Sequence, residues 1–521
     1  MLPINMTLQK SFVIQREWRT SLFPLANSMI CMLVIGYYLS ITRRLERLSF
    51  RYFYDAIPAA LTNIAIGKKG LISSQEVQSY FQDRIPNVTD SDLLAGLQIA
   101  KVIGASDGQT RIFLGDDLGL PHFVQLALSI FGLHVWSVHL LFGSLFTVTT
   151  FLVIWSFRRE CWVQFVLFAY QISFALVTPN LFVSGQLWTW TDPRAVSILA
   201  VSPAIFIVAF ALHSKKQPLI LAILLVQILV LVFIIHVRFA SIWAVMGSLI
   251  ATIILASVDR STMARRFWPP VAKCVSIVCS VLLLSLLLAS FATDSLKLSN
   301  SDRAPARHLF WHSVVTAESL GNIGKTRGQI FDDASTHELV RNFLIERGEY
   351  LGVQKVFGVD IPAGDYSQVD WRSYEDSARA LFLQDIKEKP RELIRLLFVE
   401  KPVLWLQSIS WFVGIPWGES VVLLEQQLEF PTSINFLRVV GTIVVVALFG
   451  FLLSCLVLKT CQGSMQASSA KGLVVLMSMF VAAVLPTIGL IPLVHVISDS
   501  VVLTFSLVIS FVALLVVSQS V

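Results

Sequence analysis

Apolar residues along this chain gather in long unbroken runs rather than in alternating or striped patterns. Ten runs reach or approach the roughly 20 residues needed to cross 30 Å of hydrocarbon at 1.5 Å per residue. They are Phe23–Ile41, Leu133–Phe157, Val163–Pro179, Ala195–His213, Pro218–Ile235, Phe239–Val258, Pro270–Thr293, Phe436–Leu458, Gly472–Val494 and Val501–Val517. The third ends at a proline, and the fifth and tenth are barely long enough. Two longer, more polar segments interrupt the series, at about Thr42–Pro121 and Asp294–Asn435. The pattern predicts an all-α polytopic membrane protein with about ten transmembrane helices and two long extramembrane segments.

Within those segments the period changes. Ser74–Asp83 and Asp90–Val102 read as helices, with a turn near Asp107 and Gly108. His122–Gly132 is amphipathic and runs directly into the second span. The two together are too long for one straight crossing, so the first part is expected to lie in the membrane interface. In the second segment Pro390 suits a helix start. Leu393, Leu396, Leu397 and Leu404, with Trp405 and Trp411, give that helix an apolar face expected to rest on the outer leaflet. No fixed-period repeat or low-complexity tract is present.

Composition agrees: 55% of residues are hydrophobic and 14% charged, against about 25% charged in a soluble domain. The net charge of +6 accompanies no basic stripe or nucleic-acid motif, so nucleic acid is not an expected partner. The cations lie in alternate short loops instead: Lys10, Arg16 and Arg19; Arg158 and Arg159; Lys215 and Lys216; Arg260, Arg265 and Arg266; Lys459 and Lys471. The positive-inside rule makes that set cytoplasmic, with both termini, in a cell inner (plasma) membrane. Both long segments are then extracytoplasmic. No small-residue cleavage site follows the first run, which reads as a retained anchor. The organisation expected is an N-terminal membrane core over 1–293, an extracytoplasmic segment over 294–435 and a C-terminal membrane region over 436–521. The six cysteines, at 31, 161, 274, 279, 455 and 461, avoid both long segments, which excludes a disulfide framework there. Their spacing makes neither a C-x-x-C pair nor a zinc site.

Ionisable residues are almost absent from the apolar runs, Lys273 and Arg438 sitting near ends. That lowers the case for an ion-coupled transporter or proton pump. The same topology sends a set of acids and bases to one membrane face: Asp116 and Asp117 in GDDLGLPHF, Asp192 and Arg194 in WTWTDPRA, His236 and Arg238 between two spans, then Arg307, His308, His312 and Glu318. Carboxylates beside Arg and His suit a group transfer in which a base removes a hydroxyl proton and cations stabilise a leaving phosphate. Each piece also has a plain structural reading. Asp116–Asp117 reads as a turn or cap, and Asp192 as an N-cap before Pro193. His236 and Arg238 read as side chains snorkelling at the interface, and His308 with His312 as packing around Trp311 rather than a metal pair. His134 and His139 are expected to hydrogen-bond neighbouring helices. The NVT sequon at Asn87 signals a surface loop.

The stretch GDDLGLPHFVQLALSIFGLHVWSVHLLFGSLFTVTTFLVIW resembles the C-type (GT-C) membrane glycosyltransferase superfamily. There an acidic first outer loop ends at a proline, and an interfacial helix ending in Phe-Gly leads into the second span. RRE, a short span with TPN, and an outer turn in TDPRA are similar to the same superfamily. RHLFWHS and FDDAS resemble poorly characterised bacterial multi-pass relatives of the polyprenyl-phosphate-sugar-dependent transferases. The resemblance covers about Phe113–Arg194. It implies an inverting transferase that takes a sugar from a polyprenyl-phosphate donor, in contact with membrane lipid, and hands it to an envelope lipid, glycan or protein. Asp116 or Asp117 would be the base. Asp192, Arg194, His236, Arg238, His308 and His312 would meet donor phosphate or acceptor. The superfamily often carries an Asp-Glu pair just after the first span, whereas this chain reads RRLERLSFRYFYDAIPAA, so Asp55 competes for the role of base. No resident cofactor or metal site is implied, a divalent cation being an open alternative. A non-catalytic relative, either a transporter of lipid-linked glycans or an envelope-assembly scaffold, fits the same residues.

Overall fold

In the computed structural model the described residues are 4–45, 56–67, 72–84, 88–104, 110–112, 119–183, 193–213, 217–258, 268–297, 310–329, 333–357, 369–402, 404 and 465–489, with scattered positions after 500. They form a membrane body of long helices and a smaller helical segment over 310–400, called the outer segment after the side expected for it, sharing one continuous apolar core.

The body begins with α1 (Ile4–Leu45). It is followed by α2 (Ile57–Ile66), β1 (Ile72–Ser74), α3 (Gln75–Gln82), α4 (Asp90–Gly104) and β2 (Thr110–Ile112). The two strands make an antiparallel ribbon with Ile72 opposite Ile112. The hydrophobic pattern gives no warning of the ribbon, because three-residue strands are too short for an alternation to register. The helices expected at 74–83 and 90–102 are α3 and α4. Ser74 caps α3 by accepting from the Val77 N–H, and Asp90 and Asp92 place negative charge in the first turn of α4.

Next come α5 (Leu120–Phe131), α6 (Ser137–Ser156), α7 (Cys161–Val183), a 3₁₀ segment (Pro193–Ala200), α8 (Val201–Leu212), α9 (Pro218–Val237), α10 (Ile242–Val258) and α11 (Trp268–Lys297). The chain breaks at Gly132 between α5 and α6, as the combined length of the two apolar stretches requires. Asp90 secures this break, accepting from the Val135 N–H at 2.8 Å and bonding His134 Nδ1 at 2.8 Å.

Among the described residues, five helices are long and apolar enough to cross a membrane: Leu22–Arg43, Ser137–Ser156, Ala195–Leu212, Pro218–Val237 and Trp268–Ser290. Shorter apolar helices at Cys161–Leu176, Ile242–Ser257 and Lys471–Ala483 stand where three further crossings were expected. The run Phe436–Leu458 lies outside the described residues, and Val501–Val517 is described only at scattered positions. The chain is therefore an all-α membrane-type protein, with five described helices able to cross a membrane where ten were expected.

Buried polar side chains stitch these helices together where water cannot compete. Asn27 Nδ2 donates to the Gln164 carbonyl at 2.8 Å, and Gln227 Nε2 to the Thr149 carbonyl at 3.0 Å. Thr150 meets Ser202 at 2.9 Å, and Tyr38 Oη meets His139 Nδ1 at 2.8 Å, as expected for a histidine inside a span. One close crossing joins α10 to α18 (Met465–Gly489). A Cβ on Gly247 would lie 2.9 Å from Met479 Cα, so only a residue without a side chain lets the two backbones approach this way.

The outer segment comprises α12 (Phe310–Glu318), α13 (Asn322–Thr326), α14 (Asp333–Glu346), α15 (Tyr350–Phe357), α16 (Trp371–Glu388) and α17 (Pro390–Arg395) with a π turn over Leu396–Glu400. Pro390 is the first residue of α17, as the sequence predicts. One expectation is corrected here. Leu393 and Leu396 are buried inside the protein, as part of the continuous apolar core that also takes in Val340, Phe343, Leu344, Ala378 and Leu381. The amphipathic pattern reports packing on protein rather than on membrane. Trp405 and Trp411 lie outside the described residues.

Candidate functional site

Two groups of ionisable side chains emerge, one at the C-terminal end of α9 and one within residues 310–400. The first starts from a glycine. Gly119 opens α5 against the last turn of α9, and a Cβ there would sit 2.4 Å from both the carbonyl carbon and oxygen of His236. The two backbones therefore touch. One turn into α5, His122 Nδ1 lies 3.1 Å from His236 Nε2, with the rings stacked at 5.4 Å between centroids. Beneath them Phe123 stacks on Phe233 at 6.2 Å, so the start of α5 is fixed by an apolar contact as well as by the imidazole pair. One ring must donate and the other accept across that short contact, so the shared position holds a single proton. Burial pushes the His122 pKa below the ordinary histidine value.

Arg238 ends α9. Its N–H donates to the Ile234 carbonyl at 2.7 Å, and its own carbonyl accepts from the Ser241 N–H at 2.9 Å. Its residue exposure is 9%, which replaces the expectation of a snorkelling arginine with that of a guanidinium held inside the protein. A buried guanidinium requires compensating negative groups. Asp117 precedes Gly119 by two residues, a chain reach of about 7 Å. Asp116, Asp117, Asp55, Asp192 and His308 lie outside the described residues. Arg194 is placed only by its backbone, in the 3₁₀ segment that Pro193 begins.

Of the expected set, the described residues place His236 and Arg238 at the end of α9, with Gly119 of α5 against the His236 backbone. Sequence reading missed Gly119 and His122. A signal was present: glycine, then a histidine one turn into an amphipathic helix, immediately follows an acidic pair.

Replacing Gly119 by Ala is expected to force the start of α5 off the α9 turn, at a cost of about 1–3 kcal/mol. Hydrogen exchange of peptides covering 119–131 should quicken in that variant and leave those covering 161–176 unchanged.

His312 belongs to the second group. It is 5% exposed, with Nδ1 at 2.6 Å from Tyr374 Oη and Nε2 at 3.1 Å from Asp333 Oδ1. The Glu375 carboxylate accepts from the N–H groups of Trp311 and His312, each at 2.9 Å, closing the first turn of α12. His337 stacks on Tyr374 at 4.5 Å. Burial first, and the nearby His312 second, push the His337 pKa down to about 3. Among the described residues no cluster of His, Cys, Asp and Glu could hold a metal ion.

A depressed histidine pKa makes stability fall with acid. The contribution of His337 is fully present above the unfolded value near 6.5 and is lost as pH drops toward 3. Taking the pH from 7 to 5 is expected to weaken protection of the 333–357 region by about 2 kcal/mol. Hydrogen exchange should register this in the parent protein, and the difference should shrink sharply in His337→Phe.

Deeper in the same segment, Arg327 Nη1 donates to Asp385 Oδ2 at 2.8 Å and its other terminal nitrogen to Oδ1. Nη1 also stands 3.4 Å from Glu318 Oε2. Two buried carboxylates share one guanidinium. Burial, and then the Asp385 charge, hold Glu318 above the ordinary carboxylate range. This triad joins α12, the turn after α13 and α16, and serves the architecture of the segment.

No protein-family model, curated protein or solved structure matches the chain.

Proposed function

We propose that this protein is an inner-membrane glycosyltransferase that moves a sugar from a polyprenyl-phosphate donor to an envelope lipid, glycan or protein at the extracytoplasmic face. On this reading about ten helices cross the membrane, the termini are cytoplasmic, and the outer segment meets the acceptor. The observation that carries the proposal is the backbone contact of Gly119 with His236. Gly119, two residues after Asp117 in sequence, meets the turn of α9 that carries His236 and ends at the buried Arg238, with His122 paired to His236. A carboxylate there takes the proton of an acceptor hydroxyl, and the hydroxyl oxygen attacks the anomeric carbon from the face opposite the phosphate. The bond from that carbon to the phosphate oxygen breaks, and polyprenyl phosphate leaves with the charge that Arg238 and the histidine pair are placed to stabilise. Asp192 and Arg194 are assigned to the same face, and Asp55 is the alternative base.

The test is made on purified full-length protein in proteoliposomes, given polyprenyl-phosphate donors with a radiolabelled sugar and an envelope lipid extract. Labelled product with stoichiometric release of polyprenyl phosphate supports transfer. Donor binding without release under the same conditions would overturn it, in favour of a carrier or scaffold for lipid-linked glycans.

A further inference from the structure

The outer segment presents one helix face that its own packing leaves bare. In α17 and the π turn, Leu393 and Leu396 point into the protein, while on the other side Ile394, Phe398 and Val399 are 58%, 75% and 54% exposed. Arg391 and Arg395 are exposed on that same side. Arg391 to Phe398 is seven residues, close to two turns, so Arg391, Ile394, Arg395 and Phe398 line up as one stripe. A phenylalanine three-quarters exposed beside two further exposed apolar side chains is a surface that water disfavours.

Two observations say what covers it. Residues 396–400 pack against α18, an apolar helix of the membrane body, so the stripe is held at the edge of that body and not at the far end of the outer segment. The exposed charges on the stripe itself, Arg391 and Arg395, are both cationic. Arg395 engages Glu400 Oε1 through Nε, at 3.0 Å, which leaves its two terminal nitrogens for an anion outside the protein. Guanidinium groups bordering exposed Ile, Phe and Val match a boundary where phosphates lie beside acyl chains.

We propose that this stripe docks on the outer leaflet of the bilayer that the chain spans. Ile394, Phe398 and Val399 enter the acyl boundary, and Arg391 and Arg395 pair with lipid phosphates. The assignment is independent of any transferase activity, resting only on the membrane setting and the exposed face.

A nitroxide label placed by Ile394→Cys or Phe398→Cys in the full-length, otherwise cysteine-free protein tests this in proteoliposomes. Glu346→Cys, exposed on α14, serves as the aqueous control. Docking predicts oxygen collision rates several-fold higher, relative to a water-soluble nickel chelate, at 394 and 398 than at 346. The ratio at 398 should fall when phosphatidylglycerol is omitted from phosphatidylcholine vesicles, and fall again in Arg391→Glu/Arg395→Glu. A ratio at 398 equal to the control would overturn the proposal. So would low access to both reagents, which would mean a protein cover.

Discussion

Replacing Asp116 and Asp117 together by Asn is expected to lower sugar transfer by about 10²–10⁴-fold, the usual contribution of a positioned general base. Asparagine keeps the size and hydrogen-bonding capacity of each side chain and removes only its ability to take a proton. A turn or helix cap would accept the change at small cost; a base would not. The expectation follows from chain geometry. The acidic pair runs into Gly119, Gly119 touches the His236 backbone, and Arg238 is buried two residues beyond. Initial rates of polyprenyl-phosphate release, at matched levels of inserted protein, measure the effect, and the single variants assign it to one carboxylate. Full activity in the double variant would remove both from the mechanism and leave Asp55 as the base.

Much of the membrane body was legible because a helix in lipid is specified by length and apolarity alone, and both are written locally. The break at Gly132, the separate helix α5 before it and the helix start at Pro390 followed from the same local rules. The histidines at 134 and 139 also behave as expected, each bonded to a neighbouring element. What could not be read depends on pairs distant in sequence. Nothing near His122 announces His236, 114 residues away, and nothing near Arg327 announces Asp385. The face of α17 was misjudged for a related reason. An apolar stripe shows that a surface will be covered, but not whether lipid or protein covers it, and here the shared protein core claimed Leu393 and Leu396.

The outer segment's internal salt bridge should show the largest effect on stability. Arg327 is 18% exposed, Asp385 0% and Glu318 1%, so replacing Arg327 by Met leaves the Asp385 charge buried without its counter-ion. Breaking a buried pair from one side costs about 3–5 kcal/mol, enough to open the segment locally. Protonation of Glu318 offsets little of this, because burial already holds that carboxyl above its ordinary range. The loss arises at Asp385. A second variant separates charge from packing: in Arg327→Met/Asp385→Leu neither charge remains, and most of the stability should return. Limited proteolysis and hydrogen exchange of 310–329 and 369–389 in the full-length protein should show rapid opening in the single variant and near-parental protection in the double. If the single variant matched the parent, Asp385 would not depend on Arg327, and the triad would be an incidental contact. If the double were as open as the single, shape rather than charge would be what Arg327 contributes.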